Sequence, residues 1–143
     1  MDWAYLFLRF DGRISRKPYW IATCLLIAAG LFSWLIAYHF GGDRLTAVPD
    51  LALMYPEFAV VIKRAHDRET PLWILISYFF LSILVNALTI LGLTGPIDDT
   101  STLYLIVLLP WLAVGLFLLV DLGFRKGIRG PNRFGPAPLE RII

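Results

Sequence analysis

The first long apolar run decides the fold, and it reads PYWIATCLLIAAGLFSWLIAYHF at residues 18–40. It holds no Asp, Glu, Lys or Arg over more than 20 positions. At a helical rise of about 1.5 Å per residue, such a run crosses a hydrocarbon core about 30 Å thick. A secretory signal peptide is the alternative, but its apolar region would span only about 7–15 residues. Aromatic residues at both ends are typical of helix ends at the two lipid–water interfaces, so we predict a transmembrane helix.

Two further runs have the same character, at residues 71–93 and 101–120, and neither contains a charged residue. Pro110 lies inside the last run and predicts a kink rather than a break, because neighbouring helices can satisfy the carbonyl that proline leaves unpaired. The apolar content of 58% and the mean hydropathy of +0.69 exceed what a soluble domain carries. A chain of 143 residues suits one multi-pass membrane domain covering residues 1–143.

The remaining run, LTAVPDLALMYPEFAVVI at residues 45–62, is less apolar because it contains Asp50 and Glu57. A carboxylate near the bilayer centre costs roughly 2.5–3.5 kcal/mol on insertion scales. Asp50 avoids this cost if it lies at the outer end of a helix, whereas Glu57 must be protonated or face a partner. A re-entrant or interfacial segment is the alternative. We favour a spanning helix, because the distribution of basic residues requires one.

That distribution predicts the orientation of the chain. Twelve of the thirteen Lys and Arg residues fall on one side of a four-span arrangement, and only Arg44 falls on the other. Asp98 and Asp99 are the only charges between the third and fourth runs. The positive-inside rule places the basic side, with both termini, in the cytoplasm. The predicted fold is therefore all-α: a four-helix transmembrane bundle with spans at about 18–40, 45–62, 71–93 and 101–122. A short amphipathic helix at the N-terminus lies on the membrane surface, and an irregular cytoplasmic tail covers residues 123–143.

Three polar segments meet on the cytoplasmic side of this arrangement. They read RFDGRISRKPYW at residues 9–20, KRAHDRETP at 63–71 and DLGFRKGIRGPNRFGPAP at 121–138. In the second segment, Lys63 and Asp67 are spaced as an i, i+4 pair, and Thr70 is suited to be the N-cap of the next helix. In the third, an acid at the end of a helix is unfavourable to the helix dipole. Asp121 should therefore have a cationic partner, for which Arg13, Arg16 and Arg64 are the candidates.

These three segments carry a resemblance. The stretches GRISRKPYW, KRAHD followed by Trp73, and GIRGPNRFGPAP resemble the YhaH-like family of bacterial inner-membrane proteins, a domain of unknown function with the number 805. The chain departs from the family pattern at Ala65, at Thr70–Pro71 and at Ala137. The resemblance implies a multi-pass protein of the bacterial inner (plasma) membrane and implies no activity. The positions that it marks are Gly12, Arg13, Arg16, Trp20, Arg64, His66, Asp67, Trp73, Gly130, Asn132, Phe134, Gly135 and Pro138.

The leading functional hypothesis is a non-enzymatic inner-membrane protein that presents a cytoplasmic polar cluster to a lipid headgroup or a protein partner. The alternative for the cluster is a purely structural role, in which it ties helix ends together and its cations only set the topology. The candidate cluster consists of Arg13, Arg16, Arg64, His66, Asp67, Asp121, Asn132 and Arg133.

A second hypothesis is a subunit of an oligomeric small transporter or channel, with Glu57, Asn86 and Pro110 as its intramembrane signs. An enzyme is the third, because His66–Asp67 resembles a base with its orienting acid, but a pair alone does not define a reaction. No catalytic residue, cofactor or metal ligand set is predicted. The basic residues are divided among short segments, so nucleic acid is not an expected partner. Membrane lipids are, and a protein partner or a homo-oligomer is the further expectation.

Overall fold

The computed structural model describes residues 2–95 and 100–138, and within these ranges it is all helical with no β-strand. Its helices are α1 (Trp3–Leu8), α2 (Arg16–Leu45), α3 (Ala47–Arg68), α4 (Leu72–Ile90) and α5 (Thr102–Leu118). The end of α5 widens into a π-helical turn, Leu119–Phe124. The all-α prediction is confirmed over the described residues, and so is a short helix at the N-terminus. Asp98, Asp99 and Arg141, which entered the charge distribution, lie outside the described residues.

Among the described residues, three segments are long and apolar enough to cross a membrane: Arg16–Gly42, Leu72–Ile90 and Thr102–Phe124. Much of their apolar surface is exposed, including Phe32, Phe80 and Ile106. Exposed apolar side chains in such density belong in lipid rather than in water. The prediction of a multi-pass membrane protein is therefore confirmed, with three candidate spans. The helix α3 is long enough but too polar to be the fourth on this criterion.

The helix α3 nevertheless runs back along α2. The chain bends at Gly42, whose φ of 66° is left-handed, and α3 begins two residues after α2 ends. At its other end, α3 returns to the start of α2, where the Ile14 amide donates to the Lys63 carbonyl at 3.4 Å. Prolines inside α3 and α5 leave both helices continuous. One end of the bundle thus gathers the segment before α2, the end of α3 and the end of α5.

The packed core lies at this same end of the bundle. It is formed by side chains from α1, α2, α3, α4 and α5, which shield the polar groups described below from solvent. Its fully or almost fully buried members are Leu6, Ile14, Tyr19, Ala22, Val60, Ala65, Leu75, Leu118 and Leu122.

One local detail, the N-cap of α4, differs from the sequence prediction, and a second explains the glycine at position 12. The helix α4 starts at Leu72 with Pro71 in the N-cap position, so Thr70 lies one residue too early to cap it. The chain bends at residues 11–12. Gly12 has a φ of +84°, and an added Cβ would overlap the Tyr5 hydroxyl, so only glycine fits at this position.

Candidate functional site

The end of α3 supplies the central residue of the site, Arg64, whose side chain is completely buried. Its Nε donates to the Leu122 carbonyl at 2.7 Å, and its Nη2 donates to the Arg125 carbonyl at 2.7 Å. Its Nη1 donates to the Ile14 carbonyl at 3.3 Å and forms a salt bridge with the carboxylate of Asp67. The guanidinium therefore joins the segment before α2 to the end of α5. It also satisfies carbonyls that lie beyond the last helical hydrogen bonds.

Arg13 reaches the same carboxylate from the segment between α1 and α2. Its Nε and Nη2 donate to Asp67 Oδ1 at 3.2 and 2.9 Å. The remaining N–H groups donate to tail carbonyls, those of Ile128 at 2.8 Å, Gly130 at 2.8 Å and Gly135 at 3.3 Å. All the donors that a guanidinium carries are thereby used inside the protein.

Asp67 is thus shared between two buried arginines, and it is itself only 3% exposed. Its backbone carbonyl also accepts from the Ile128 amide at 2.9 Å, so the tail is attached to Asp67 directly as well as through Arg13. The tail passes so close that a Cβ on Gly127 would lie 2.6 Å from Asp67 Cγ. A buried ion pair survives only when further hydrogen bonds satisfy each charge, and that condition is met here.

Lys63, the neighbour of Arg64, caps the C-terminus of α1. Its ammonium donates to the carbonyls of Tyr5 at 2.9 Å, Leu6 at 2.8 Å and Arg9. These carbonyls lie at the end of α1, where the helix dipole favours a cation. Burial lowers the pKa of Lys63 to about 8, so the ammonium is still mostly charged at neutral pH. The expected Lys63–Asp67 pair does not form, because the ammonium is directed to α1 and the carboxylate to the arginines.

A second acid, Asp121, forms a separate group beside the first. Its carboxylate accepts from Arg68 at 3.1 Å, from Arg125 at 3.1 Å and from the Thr70 hydroxyl at 2.7 Å. The predicted cationic partner of Asp121 is therefore present, but it is Arg68 and Arg125 rather than Arg13, Arg16 or Arg64. The π-helical turn points the carboxylate toward the α3–α4 hairpin, where Arg68 is the cation within reach.

His66 contacts the tail and the segment before α2. Its ring stacks on Phe134 with centroids 3.8 Å apart, and its Nδ1 is 3.0 Å from the Gly12 carbonyl. Because a carbonyl can only accept, Nδ1 carries the proton. Burial lowers the pKa of His66, which favours the neutral ring. Asn132 donates to the His66 carbonyl at 2.9 Å, and the exposed Arg133 lies over the other face of Phe134.

Arg16 differs from the buried arginines because it is exposed at the first position of α2. With Lys17 it borders a groove of about 480 Å³ that is also lined by Trp20, Ile21, Gly123 and Phe124. The Trp20 indole donates to the Gly123 carbonyl at 3.0 Å and stands edge to face with Phe124. An added Cβ on Gly123 would lie 2.7 Å from the indole, so the indole position depends on this glycine.

The structure therefore brings together Arg13, Arg64 and Asp67, with His66 and Asn132 alongside. It places Asp121 in a neighbouring group and leaves Arg16 and Arg133 exposed. Sequence reasoning missed the structural roles of Lys63, Arg68 and Gly127. For the two cations, their spacing at the end of α3 was a usable signal, because Lys63 directly precedes Arg64 and Arg68 follows Lys63 by five positions. For Gly127, the sequence carries no signal, because the need for glycine comes from a residue 60 positions earlier.

Chemically, the buried group can hold chain segments together, but it has few unused hydrogen-bond donors or acceptors with which to bind a ligand. Arg13 has no free donor, and both carboxylates are occupied. Among the described residues, no group of three or more His, Cys, Asp or Glu side chains is arranged to hold a metal ion. The groove at Arg16 and Lys17 is different, since exposed cations and aromatic rings surround open space there.

Comparison with known proteins gives the same family as the three motif segments. The family model described as a protein of unknown function (DUF805) matches residues 7–136. The inner membrane protein YhaH of Escherichia coli (strain K12) is 26% identical over 148 aligned positions, which cover 96% of this chain and 97% of that protein. The uncharacterized protein YiiR of the same organism is 27% identical over 137 positions, covering 88% of this chain and 83% of that protein. No solved structure matches the chain.

Proposed function

The chain belongs to the DUF805 family of membrane proteins, and on that basis we propose that it is a four-span inner-membrane protein that holds anionic lipid headgroups at its cytoplasmic face. The proposal has three parts: the fourth crossing, the orientation, and the lipid site. The observation that carries it is the exposed groove in which Arg16 and Lys17 stand beside Trp20 and Phe124.

The fourth crossing is α3, with its membrane part at residues 45–62. Support comes from the two ends of the helix. Its first residue follows the end of α2, whereas Lys63 and Asp67 contact the segment that precedes α2. Because α3 runs antiparallel to α2 from one end of the bundle to the other, it crosses the membrane if α2 does. Its acids are tolerable because Glu57 faces other helices, where its carboxylate accepts from the Tyr78 hydroxyl at 3.2 Å.

The orientation follows from the same end of the bundle. Arg13, Arg64 and most other cations gather there, and the positive-inside rule assigns that end to the cytoplasm. In this placement both termini are cytoplasmic. Tail contacts to Arg13 and Asp67 further support one domain over the whole chain. Binding of a protein partner and assembly with further copies stay predictions.

Cysteine labelling tests the crossing and the orientation together. In a Cys24→Ser background, Phe40→Cys reports the end of α2, and Glu69→Cys reports the end of α3. A maleimide that cannot cross the membrane should label Phe40→Cys on intact spheroplasts and should label Glu69→Cys only after the membrane is opened. Labelling of both sites from outside would contradict a fourth crossing.

The charge of the groove and its position at the start of α2 support the lipid site. Arg16 and Lys17 lie in the first turn of α2, where unpaired backbone N–H groups also favour an anion. In the proposed orientation, this turn lies at the level of the lipid phosphates. Trp20 has the amphipathic ring that is enriched at this depth. Each juxtamembrane cation adds roughly 1 kcal/mol of attraction to an anionic leaflet. The buried Arg13–Arg64–Asp67 group supports the groove, since Arg64 holds the adjacent Leu122 and Arg125 carbonyls.

The experiment counts lipids on the purified protein. Wild-type protein in mild detergent is exposed to equal amounts of phosphatidylglycerol and phosphatidylethanolamine, and bound lipid is read by native mass spectrometry. The variant with both Arg16→Ala and Lys17→Ala should lose roughly tenfold or more of its phosphatidylglycerol affinity, as the removal of two such cations implies. Its phosphatidylethanolamine binding should not change.

Arg9→Ala is the matched control, because Arg9 is an exposed cation at the same end of the bundle, paired with Asp11 and outside the groove. It should keep the wild-type lipid preference. Equal loss in this control would mean that net charge alone attracts the lipid. Unchanged binding in the double variant would refute the groove as the site.

A further inference from the structure

A second cavity lies between the helices, away from the groove, and its lining is unusual for a membrane interior. It measures about 290 Å³ and is bordered by side chains of α2, α3, α4 and α5. Its polar lining residues include Asp50, Glu57, Asn86, Thr23 and Ser82, whereas none of the described residues that line it is Lys, Arg or His. Two acidic side chains, in a lining whose described residues include no base, favour a cation as the ligand.

The two carboxylates are placed along one face of α3. Asp50 and Glu57 are seven positions apart, so both lie on the same side of the helix, about 10 Å from each other along its axis. Glu57 is held by the Tyr78 hydroxyl, which donates to only one of its oxygens. Asp50 is exposed and lies in the first turn of α3, at the end of the bundle opposite the buried arginine group. A ligand can therefore enter the cavity from that end, where Asp50 is in contact with solvent or lipid headgroups.

At the other end, buried side chains close the cavity. Tyr19 is 4% exposed and Val60 is 1% exposed, and both line it on the side of the core. These buried residues bound the cavity on the side of the core, and Asp50 borders it at the opposite end.

Aromatic rings supply a further element of recognition. Tyr78 and Trp111 stack with centroids 6.1 Å apart, and both border the cavity together with Tyr19. Aromatic faces attract cations, most strongly where water is excluded. The indole Nε1 of Trp111 is buried, and no described residue accepts a hydrogen bond from it. A buried N–H without an acceptor costs free energy unless something else supplies one, and a ligand with a hydroxyl or carbonyl would do so.

We propose that this cavity binds a small organic cation that enters from the side of Asp50. Its ammonium lies between Asp50 and Glu57, and its apolar part packs against aliphatic and aromatic walls. The cavity volume admits a molecule of about ten to fifteen non-hydrogen atoms at the packing density of protein interiors. This inference does not depend on the lipid groove, because the two sites share no lining residue.

The test compares three probes of one size and three charges: benzylammonium, benzyl alcohol and benzoate. Binding to the purified protein in mild detergent is measured by isothermal titration calorimetry near neutral pH. Benzylammonium should bind at least about tenfold more tightly than benzyl alcohol, and benzoate should not bind, as expected for a pocket with two carboxylates. Equal affinity for benzylammonium and benzyl alcohol would overturn the proposal.

Variants locate the site. Glu57→Gln should weaken benzylammonium binding at least about tenfold, whereas Glu69→Gln, which removes an exposed acid outside the cavity, should leave it unchanged. If Glu57→Gln does not yield folded protein, Asp50→Asn takes its place, because Asp50 is exposed and borders the same cavity. Affinity that survives in the folded variant at the wild-type level would refute the assignment.

Discussion

Removal of the Asp67 carboxylate is the sharpest test of the buried group. Asp67→Ala removes the anion that Arg13 and Arg64 share, and both arginine side chains are only 1% exposed. Truncation of one partner in a buried ion pair costs roughly 3–5 kcal/mol, because an uncompensated charge is left behind. We expect the lower part of that range, because the tail and α5 carbonyls still accept from both arginines.

The loss is large relative to the total stability of a folded domain, roughly 5–15 kcal/mol. Equilibrium unfolding in mixed micelles, followed by tryptophan fluorescence as sodium dodecyl sulfate is added, measures the difference from wild type. The fluorescence signal is suitable because Trp20 packs on Gly123, beside the buried group. The transition of Asp67→Ala should move to a much lower detergent fraction.

Asp11→Ala is the control for this experiment. It removes the acid of another arginine–aspartate pair, Arg9–Asp11, in which both side chains are more than 60% exposed. Exposed pairs of this kind contribute little, so this variant should unfold like wild type. If Asp67→Ala also unfolds like wild type, water or a rearranged partner neutralises the arginines. The buried group would then not hold the bundle end together.

Three further predictions concern the same end of the bundle. Gly127→Ala should destabilise by roughly 1–3 kcal/mol in the same assay, because its Cβ would overlap Asp67, whereas Gly30→Ala, with its nearest neighbour at 3.7 Å, should be tolerated. His66 has a lowered pKa, so the unfolded state takes up its proton first, and stability should fall as pH drops below about 6.5 toward the folded-state pKa. Thermal unfolding in detergent from neutral to acidic pH should reveal this loss, and the difference should vanish in His66→Gln. Lys63→Met should cost roughly 1–3 kcal/mol and make α1 sensitive to limited proteolysis, because buried carbonyls lose their donor; a protected α1 would contradict this role.

The apolar runs could be predicted from the sequence because lipid selects by composition and length. The run at residues 71–93 becomes α4 over Leu72–Ile90, and the run at 101–120 becomes α5 with its π-helical extension. The first run extends further than predicted, since α2 starts at Arg16 and reaches Leu45. These differences at the ends are expected, because polar residues at helix ends are set by local contacts rather than by the hydrocarbon core.

The site was harder to predict, and the reason lies in the partners of its cations. Three motif segments were expected to meet, and they do. The pairings were wrong for Lys63 and Asp121, because most donors in the site bind backbone carbonyls. Every residue has a carbonyl, so the side-chain sequence gives no indication of which one a given arginine will reach. The accessible carbonyls follow from where helices end and where α5 changes to π geometry, and these features are tertiary.

A physical reason for so many cations emerges from the direction of the helices. Three helices, α1, α3 and α5, end at this side of the bundle, and only α2 and α4 begin there. Each C-terminus carries about half a negative charge and several carbonyls without helical partners. Lys63 binds those at the end of α1, and Arg64 and Arg68 bind those beyond α5. The positive-inside rule requires only that cations lie on this side of the membrane. The buried cations also bind the carbonyls at helix ends, so they stabilise the fold as well. The cations left for an external anion are therefore the exposed ones, and among these Arg16 and Lys17 line the groove.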